Sequence, residues 1–221
     1  MTETRVKATR ADFVHEKLRA DILAGRVEPG ERLKSAELCR RYETSVGAAR
    51  EALNRLQAEG LVQSRPHVGY IVTPLSERDL SELTQARVEI ESLVLGLSIQ
   101  NGDVAWEGQV IAAFHVMERT PFMDADDPGR ISDQWAAAHA DFHFALLAAC
   151  PNARLAKLAR SLREESSLYQ LWSVSFKREP ARDGLGEHRA ILKAAVDRNV
   201  PLAGELLRDH IQHTTRLLII E

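Results

Sequence analysis

Of the eight histidines in this 221-residue chain, five fall in line with apolar residues at helical spacing. His139 and His143 are four apart, so they project from one side of a helix, together with Trp135, Phe142 and Leu146. His188 aligns with Ile191, Leu192 and Ala195. His210 and His213 align with Leu202, Leu206, Leu217 and Ile220. One histidine on an apolar face is ordinarily a core residue with its hydrogen bonds satisfied. Five on three helices point instead to a shared task, because neutral imidazole ligates zinc and other transition metals and a helical bundle can bring such side chains together. The expectation is a bound divalent transition metal, zinc first, with nickel and manganese as alternatives. His15, His67 and His115 fall outside this pattern.

A second candidate is Arg87, which interrupts the apolar stripe Leu80, Leu83, Ile90, Val94, Leu97. An unpaired buried charge is expensive, so Arg87 needs a partner, and Glu91 is one helical turn away. Two readings follow: an internal ion pair, or an arginine that also grips the carboxylate of a ligand. A helical-bundle metalloenzyme is the alternative function. It would need an open metal position and a general base, and no carboxylate falls at helical spacing in the histidine stripes. Asp141 is two residues from His139 and His143, which turns it to another side of the helix.

Long helices must position these groups. Helical patterns run over residues 76–101, 104–118, 131–149, 152–176, 180–199 and 201–220, with Asn101-Gly102-Asp103, Pro151, Pro180 and Pro201 at the junctions. The expected C-terminal unit is an all-α bundle of about six helices, joined by a loop over residues 120–129. The N-terminal part reads differently. Residues 11–24 form an amphipathic helix with Phe13, Val14, Leu18, Ile22 and Leu23 on one side, and residues 27–33 form a turn. A short helix around Leu38 and a second over residues 45–60 make a helix-turn-helix. Ser45 is suited to cap that second helix, Val46, Ala49, Leu53 and Leu56 give its apolar period, and Gly60 ends it. LVQS, RPHVG and YIVTP then read as strand, tip and strand, a wing. The DNA-side candidates are Ser45 and Arg50 at the start of the recognition helix, Arg65, His67 and Gly69 at the wing tip, and Lys34 and Arg40 as phosphate contacts. The fold expected is mainly α, a winged head over residues 1–74 and a helical unit over residues 75–221.

PGERLKSAEL, AAREALNRLQAEGLV and the wing with Gly69 resemble the N-terminal domain of GntR-type transcription regulators. Where such regulators usually open the recognition helix with Ser, Arg, Thr, Pro, Val, Arg, this chain has Ser45, Val46, Gly47, Ala48, Ala49, Arg50. Val46 replaces a DNA-contacting arginine, so a head without specific readout is a further alternative. The second half resembles the FCD ligand-binding domain of the FadR subfamily, through Arg87 and Glu91, HADFHFALL before Pro151-Asn152, EHRAIL, and Asp209-His210. That resemblance implies metal ligands at His139, His143, His188 and His210, with His139 standing where aspartate is usual. It implies a small carboxylate effector, for which Arg87 and His213 are the candidate contacts.

Charge supports the division. Residues 1–74 carry 13 basic against 10 acidic residues and the remainder 16 against 22, giving the overall −3. A mildly basic head suits double-stranded operator DNA. One recognition helix reads one half-site, so a homodimer is expected. Cys39 and Cys150 form no CxxC pair, no apolar run reaches membrane-spanning length, and the first ten residues lack a signal-peptide core, so a cytoplasmic protein is expected.

Overall fold

The computed structural model describes residues 9–23, 25–74, 76–126, 131–176 and 183–219. The chain divides into two compact units, Met1–Ser76 and Glu77–Glu221. The first comprises α1 (Arg10–Leu23), α2 (Ser35–Arg41), α3 (Val46–Ala58) and a three-stranded antiparallel sheet of β1 (Arg32–Leu33), β2 (Val62–Arg65) and β3 (Gly69–Val72), in the order β1-β3-β2. Val14, Leu18 and Ile22 of α1 are buried, as are Ala49, Ala52, Leu53 and Leu56 of α3. The two alanines on the α3 face leave room for α1, which packs against it. Ser45 caps α3 by accepting from the Ala48 N–H at 3.3 Å. At the other end Gly60 adopts φ 77°, and the Leu61 and Gly60 amides donate to Leu56 and Gln57 carbonyls. That is a Schellman stop, and its left-handed residue favours glycine.

Three expectations for this unit change. Phe13 is exposed and lies under the Arg10 guanidinium, 4.7 Å from its ring centroid, so the α1 core stripe omits it. Val46 is 54% exposed. It shares a line with Leu53, but at the helix tip, one turn before the first buried residue, Ala49. Residues 32–33 pair with Ile71 and Tyr70 as strand β1, where the sequence suggested only a turn. Two residues are too few for alternation to show. Residues 1–8 lie outside the described residues, and Arg10 already belongs to α1.

The second unit contains, among the described residues, α4 (Glu77–Asn101), α5 (Val104–Arg119), α6 (Asp133–Leu147), α7 (Ala153–Phe176), α8 (Gly184–Val196) and α9 (Val200–Ile219). Asp103, Ser132 and Asp183 cap α5, α6 and α8 through their side-chain oxygens. Its core joins Val94, Leu95 and Ile99 of α4 to Val110 and Met117 of α5, Phe142 and Leu146 of α6, and Ile191 of α8. Phe114 and Phe142 meet edge to face at 5.5 Å, and the Trp106 indole N–H donates to the Ala145 carbonyl. On α9 the buried line is Ala203, Leu207, His210 and Ile211. Leu202 is exposed and Leu206 half-buried, so the apolar line of α9 runs one residue further on than the sequence pattern suggested. Leu217 and Ile220 lie outside the residues whose side chains are described, as do residues 177–182, where a helix start at Pro180 was expected. No helix among the described residues is long and apolar enough to cross a membrane.

Candidate metal centre and nucleic-acid face

The Ser132 cap starts α6 in a register that turns His139 and His143 inward together. His188 reaches them from the first turns of α8 and His210 from the middle of α9. One ligand atom from each of the four lies within 4.8 Å of every other. His188 Nε2 is 3.0 Å from His139 Nε2 and 3.1 Å from His143 Nε2. The four imidazoles are between 1% and 9% exposed. Trp135 stacks on His139 at 4.8 Å and walls one side.

Burial and nearby positive charge favour the neutral form of three of these rings. Burial pushes His139, His143 and His188 well below the ordinary histidine range, and the charge of Arg163 pushes each further down. His188 Nδ1 donates to the Gly184 carbonyl at 2.5 Å, which leaves Nε2 as a bare lone pair. It faces two other Nε2 atoms, an arrangement a shared cation would satisfy. Two nitrogens held 2.0–2.1 Å from one zinc ion stand ~3–3.4 Å apart, so this donor set fits such an ion. His210 Nδ1 lies 2.8 Å from Glu187 Oε2, a carboxylate contact of the kind that orients a metal-ligating imidazole. Among the described residues no carboxylate joins the four-nitrogen group. Asp141 is exposed, as its helical position requires, and His67 and His115 are exposed as well. His15 is buried in the other unit, with Nε2 2.5 Å from Glu59.

Arg87 is 4% exposed, and its Nε donates to Glu91 Oε1 at 2.6 Å. The sequence pairing of these two is therefore present. What it missed is Arg163 of α7, also 4% exposed, whose Nη1 donates to Glu91 Oε2 at 3.2 Å. Two guanidiniums thus share one carboxylate, and among the described residues a positive charge is left over in the interior. Burial lowers the Arg163 pKa to about 10, offset by Glu91, so it stays protonated at neutral pH. The signal that could have found it is spacing: Leu155, Ala159 and Arg163 recur every four residues. Glu187 was missed too, because it does not fall at helical spacing in the histidine stripes. It sits beside His188 in sequence, and its two oxygens contact His210 Nδ1 and, at 3.2 Å, His213 Nδ1. His213 is about one-third exposed and stands beside the four-imidazole group, not within it.

In the other unit, Ser45 and Arg50 are exposed on the first turns of α3, and Arg40 is exposed in the last turn of α2. Lys34 is exposed and paired with Glu37 at 2.8 Å. Arg65 and Gly69 form the last register pair of the β2–β3 hairpin. Between them the exposed tip turns through left-handed His67 (φ 61°), and Gly69 itself is left-handed (φ 92°). The Tyr70 hydroxyl donates to Asn54 Oδ1 at 2.6 Å, fastening the wing to α3.

Two families match this chain. Residues 10–72 match the family described as bacterial regulatory proteins, gntR family, and residues 82–213 match the FCD domain. The chain is 37% identical over 197 residues to the uncharacterized HTH-type transcriptional regulator BphR of Paraburkholderia xenovorans (strain LB400), covering 89% of this chain and 80% of that protein. It is 32% identical over 197 residues to the HTH-type transcriptional repressor GlaR of Escherichia coli (strain K12), covering 88% of this chain and 89% of that one. The solved structure of E. coli McbR/YncC superposes with a TM-score of 0.78 at 18% identity, over 96% of this chain and 98% of the other. A regulator from Rhodococcus sp. RHA1 gives 0.75 at 23% identity, over 96% and 98%. These last two establish the fold. The relatives are transcriptional regulators, not enzymes, and the helical-bundle metalloenzyme is set aside. With a DNA-binding head matched along its length and an effector domain matched over most of the helical unit, this chain is a transcriptional regulator of the GntR family carrying an FCD domain.

Proposed function

We propose that this regulator is a homodimer of the FadR subfamily whose helical unit holds a divalent transition metal and senses a small carboxylate. The observation that carries this reading is the convergence of His139, His143, His188 and His210 on one point. A bound metal supplies a Lewis-acidic positive point to which a carboxylate oxygen can bind. Four neutral nitrogen donors suit zinc or nickel better than manganese, which prefers oxygen ligands. The chain adds no negative charge among those four ligands, and the buried surplus of Arg87 and Arg163 over Glu91 makes the region more positive still. An anionic effector is what such a region attracts, with Arg87 and His213 as the residues that hold its far end. Residues 1–74 are the operator-binding part, through Lys34, Arg40, Ser45, Arg50, Arg65, His67 and Gly69, and residues 75–221 the sensing part. Likeness to a relative named as a repressor favours repression, and action on DNA places the protein in the cytoplasm.

Native mass spectrometry with metal analysis tests this directly. The purified protein should fly as a dimer carrying one metal per chain. His143→Ala and His210→Ala should each lose the metal and lower the melting temperature, since a ligand bound only to the folded state stabilises it. Full metal content in both variants would reduce the constellation to core packing.

A further inference from the structure

The first turn of α3 presents an apolar side chain for which the fold has no use. Val46 is 54% exposed, while the face of α3 that packs is Ala49, Ala52, Leu53 and Leu56. Beside it Gly47 is exposed and open: an added Cβ there would meet only the Ser45 oxygen, at 3.9 Å. Arg50 is exposed four residues on, so Val46 and Arg50 are neighbours on the helix surface. Ser45 already uses its oxygen on the Ala48 amide. The tip that a helix-turn-helix directs at base edges thus offers one small hydrophobe, one bare stretch of backbone and one cation.

In the major groove the apolar mark is the C5-methyl of thymine, while guanine presents O6 and N7 to an arginine. We propose that Val46 is a specificity-determining residue that reads a thymine methyl in each operator half-site. Gly47 lets the helix tip approach closely enough for that contact. A helix rises ~6 Å over four residues, about two base-pair steps, so the thymine lies within about two base pairs of the position facing Arg50. Specific readout on this account is altered at Val46 and not lost. The inference rests on the DNA-binding head alone and is independent of the metal and effector reading.

The test begins with in vitro selection of duplexes by the full-length protein. The selected site should carry an invariant T·A pair at one position of each half. Replacing each selected thymine in turn by deoxyuridine removes only its methyl group. Replacement in one half-site should weaken binding about fourfold, the weight of one buried methyl, and replacement in both about fifteenfold. Val46→Ala should bind the thymine site more weakly than wild type and show no deoxyuridine penalty, with an unchanged melting temperature because the side chain is exposed. Val46→Arg should shift the selected base at that position towards guanine. A deoxyuridine penalty that persists in Val46→Ala, or selection that yields no preferred sequence, overturns the proposal.

Discussion

Glu91 offsets one of two buried positive charges in the helical unit, because Arg87 and Arg163 both end on its carboxylate. Burial alone would raise its pKa, but the two guanidiniums more than offset this and hold it below the usual carboxylate range. Glu91→Gln leaves two interior cations facing a neutral amide and should destabilise by about 3–5 kcal/mol in urea unfolding. Arg163→Ala should cost less, since Arg87 stays paired. An unchanged urea midpoint for Glu91→Gln would refute this account. Protonation has two windows. The folded histidines hold pKa values below the ordinary ~6.5, so the unfolded chain takes up protons first. Chelator-treated protein should therefore keep a level melting temperature above pH ~7 and lose stability as pH falls below ~6.5. Glu91 adds its share later: its stabilisation is complete above the unfolded carboxylate value of ~4.3 and is lost as pH drops through its lower folded value. A melting temperature that rises between pH 7 and 5.5 would contradict that order. The Arg87–Glu91 pair was legible because it lies within one helical turn. Arg163 and Glu187 were not, because their partners lie 72 and 23 residues away and only packing joins them.

The ends of the recognition helix are written locally and were read well; helix registers and short strands depend on neighbours and were read less well. Ser45, Asp103, Ser132 and Asp183 each cap through a side-chain oxygen that bonds the amide three residues on. Such a device needs no tertiary context, which is why the recognition helix could be bounded from Ser45 and Gly60. Strand β1 exists only because β3 is there to pair with it, and the α9 line through Ala203 and Leu207 is chosen by what packs on it. Alanine and leucine patterns one residue apart look equally amphipathic until a neighbouring helix selects one. The cap gives a prediction at this scale. Ser45→Ala should cost about 1 kcal/mol of local stability and speed hydrogen exchange of the first α3 amides about fivefold. Val46→Ala beside it should leave those amides nearly unchanged, because the Val46 side chain is exposed and caps no amide. Equal acceleration by both changes would mean that the tip is held by packing and not by the Ser45 oxygen.

For the whole chain, the question is how the proposed carboxylate effector, bound in one unit, would alter DNA affinity in the other. Arg87 lies only 13 residues past Pro74 in sequence, on the first helix after the head. An effector that draws on Arg87 therefore acts on the element through which the two units are covalently joined. It can change operator affinity only by binding more tightly to one arrangement of the chain than to another, which typically amounts to ~1–3 kcal/mol. The expected outcome is a 5- to 150-fold change in operator affinity at saturating acid, with the acid gaining or losing affinity by the same factor when operator is present. Lactate, citrate and sugar acids titrated by calorimetry identify the binder, and an operator titration repeated at its saturation measures the coupling. Arg87→Ala is the informative variant. Glu91 retains Arg163 in it, so the fold and the histidine cluster should survive. A lost charge-assisted hydrogen bond of about 1.5–3 kcal/mol should weaken acid binding roughly 10- to 150-fold while metal content and acid-free operator affinity stay as in wild type. If Arg87→Ala binds the acid as tightly as wild type, Arg87 serves only to neutralise Glu91, and the effector is held by the metal and His213 without it.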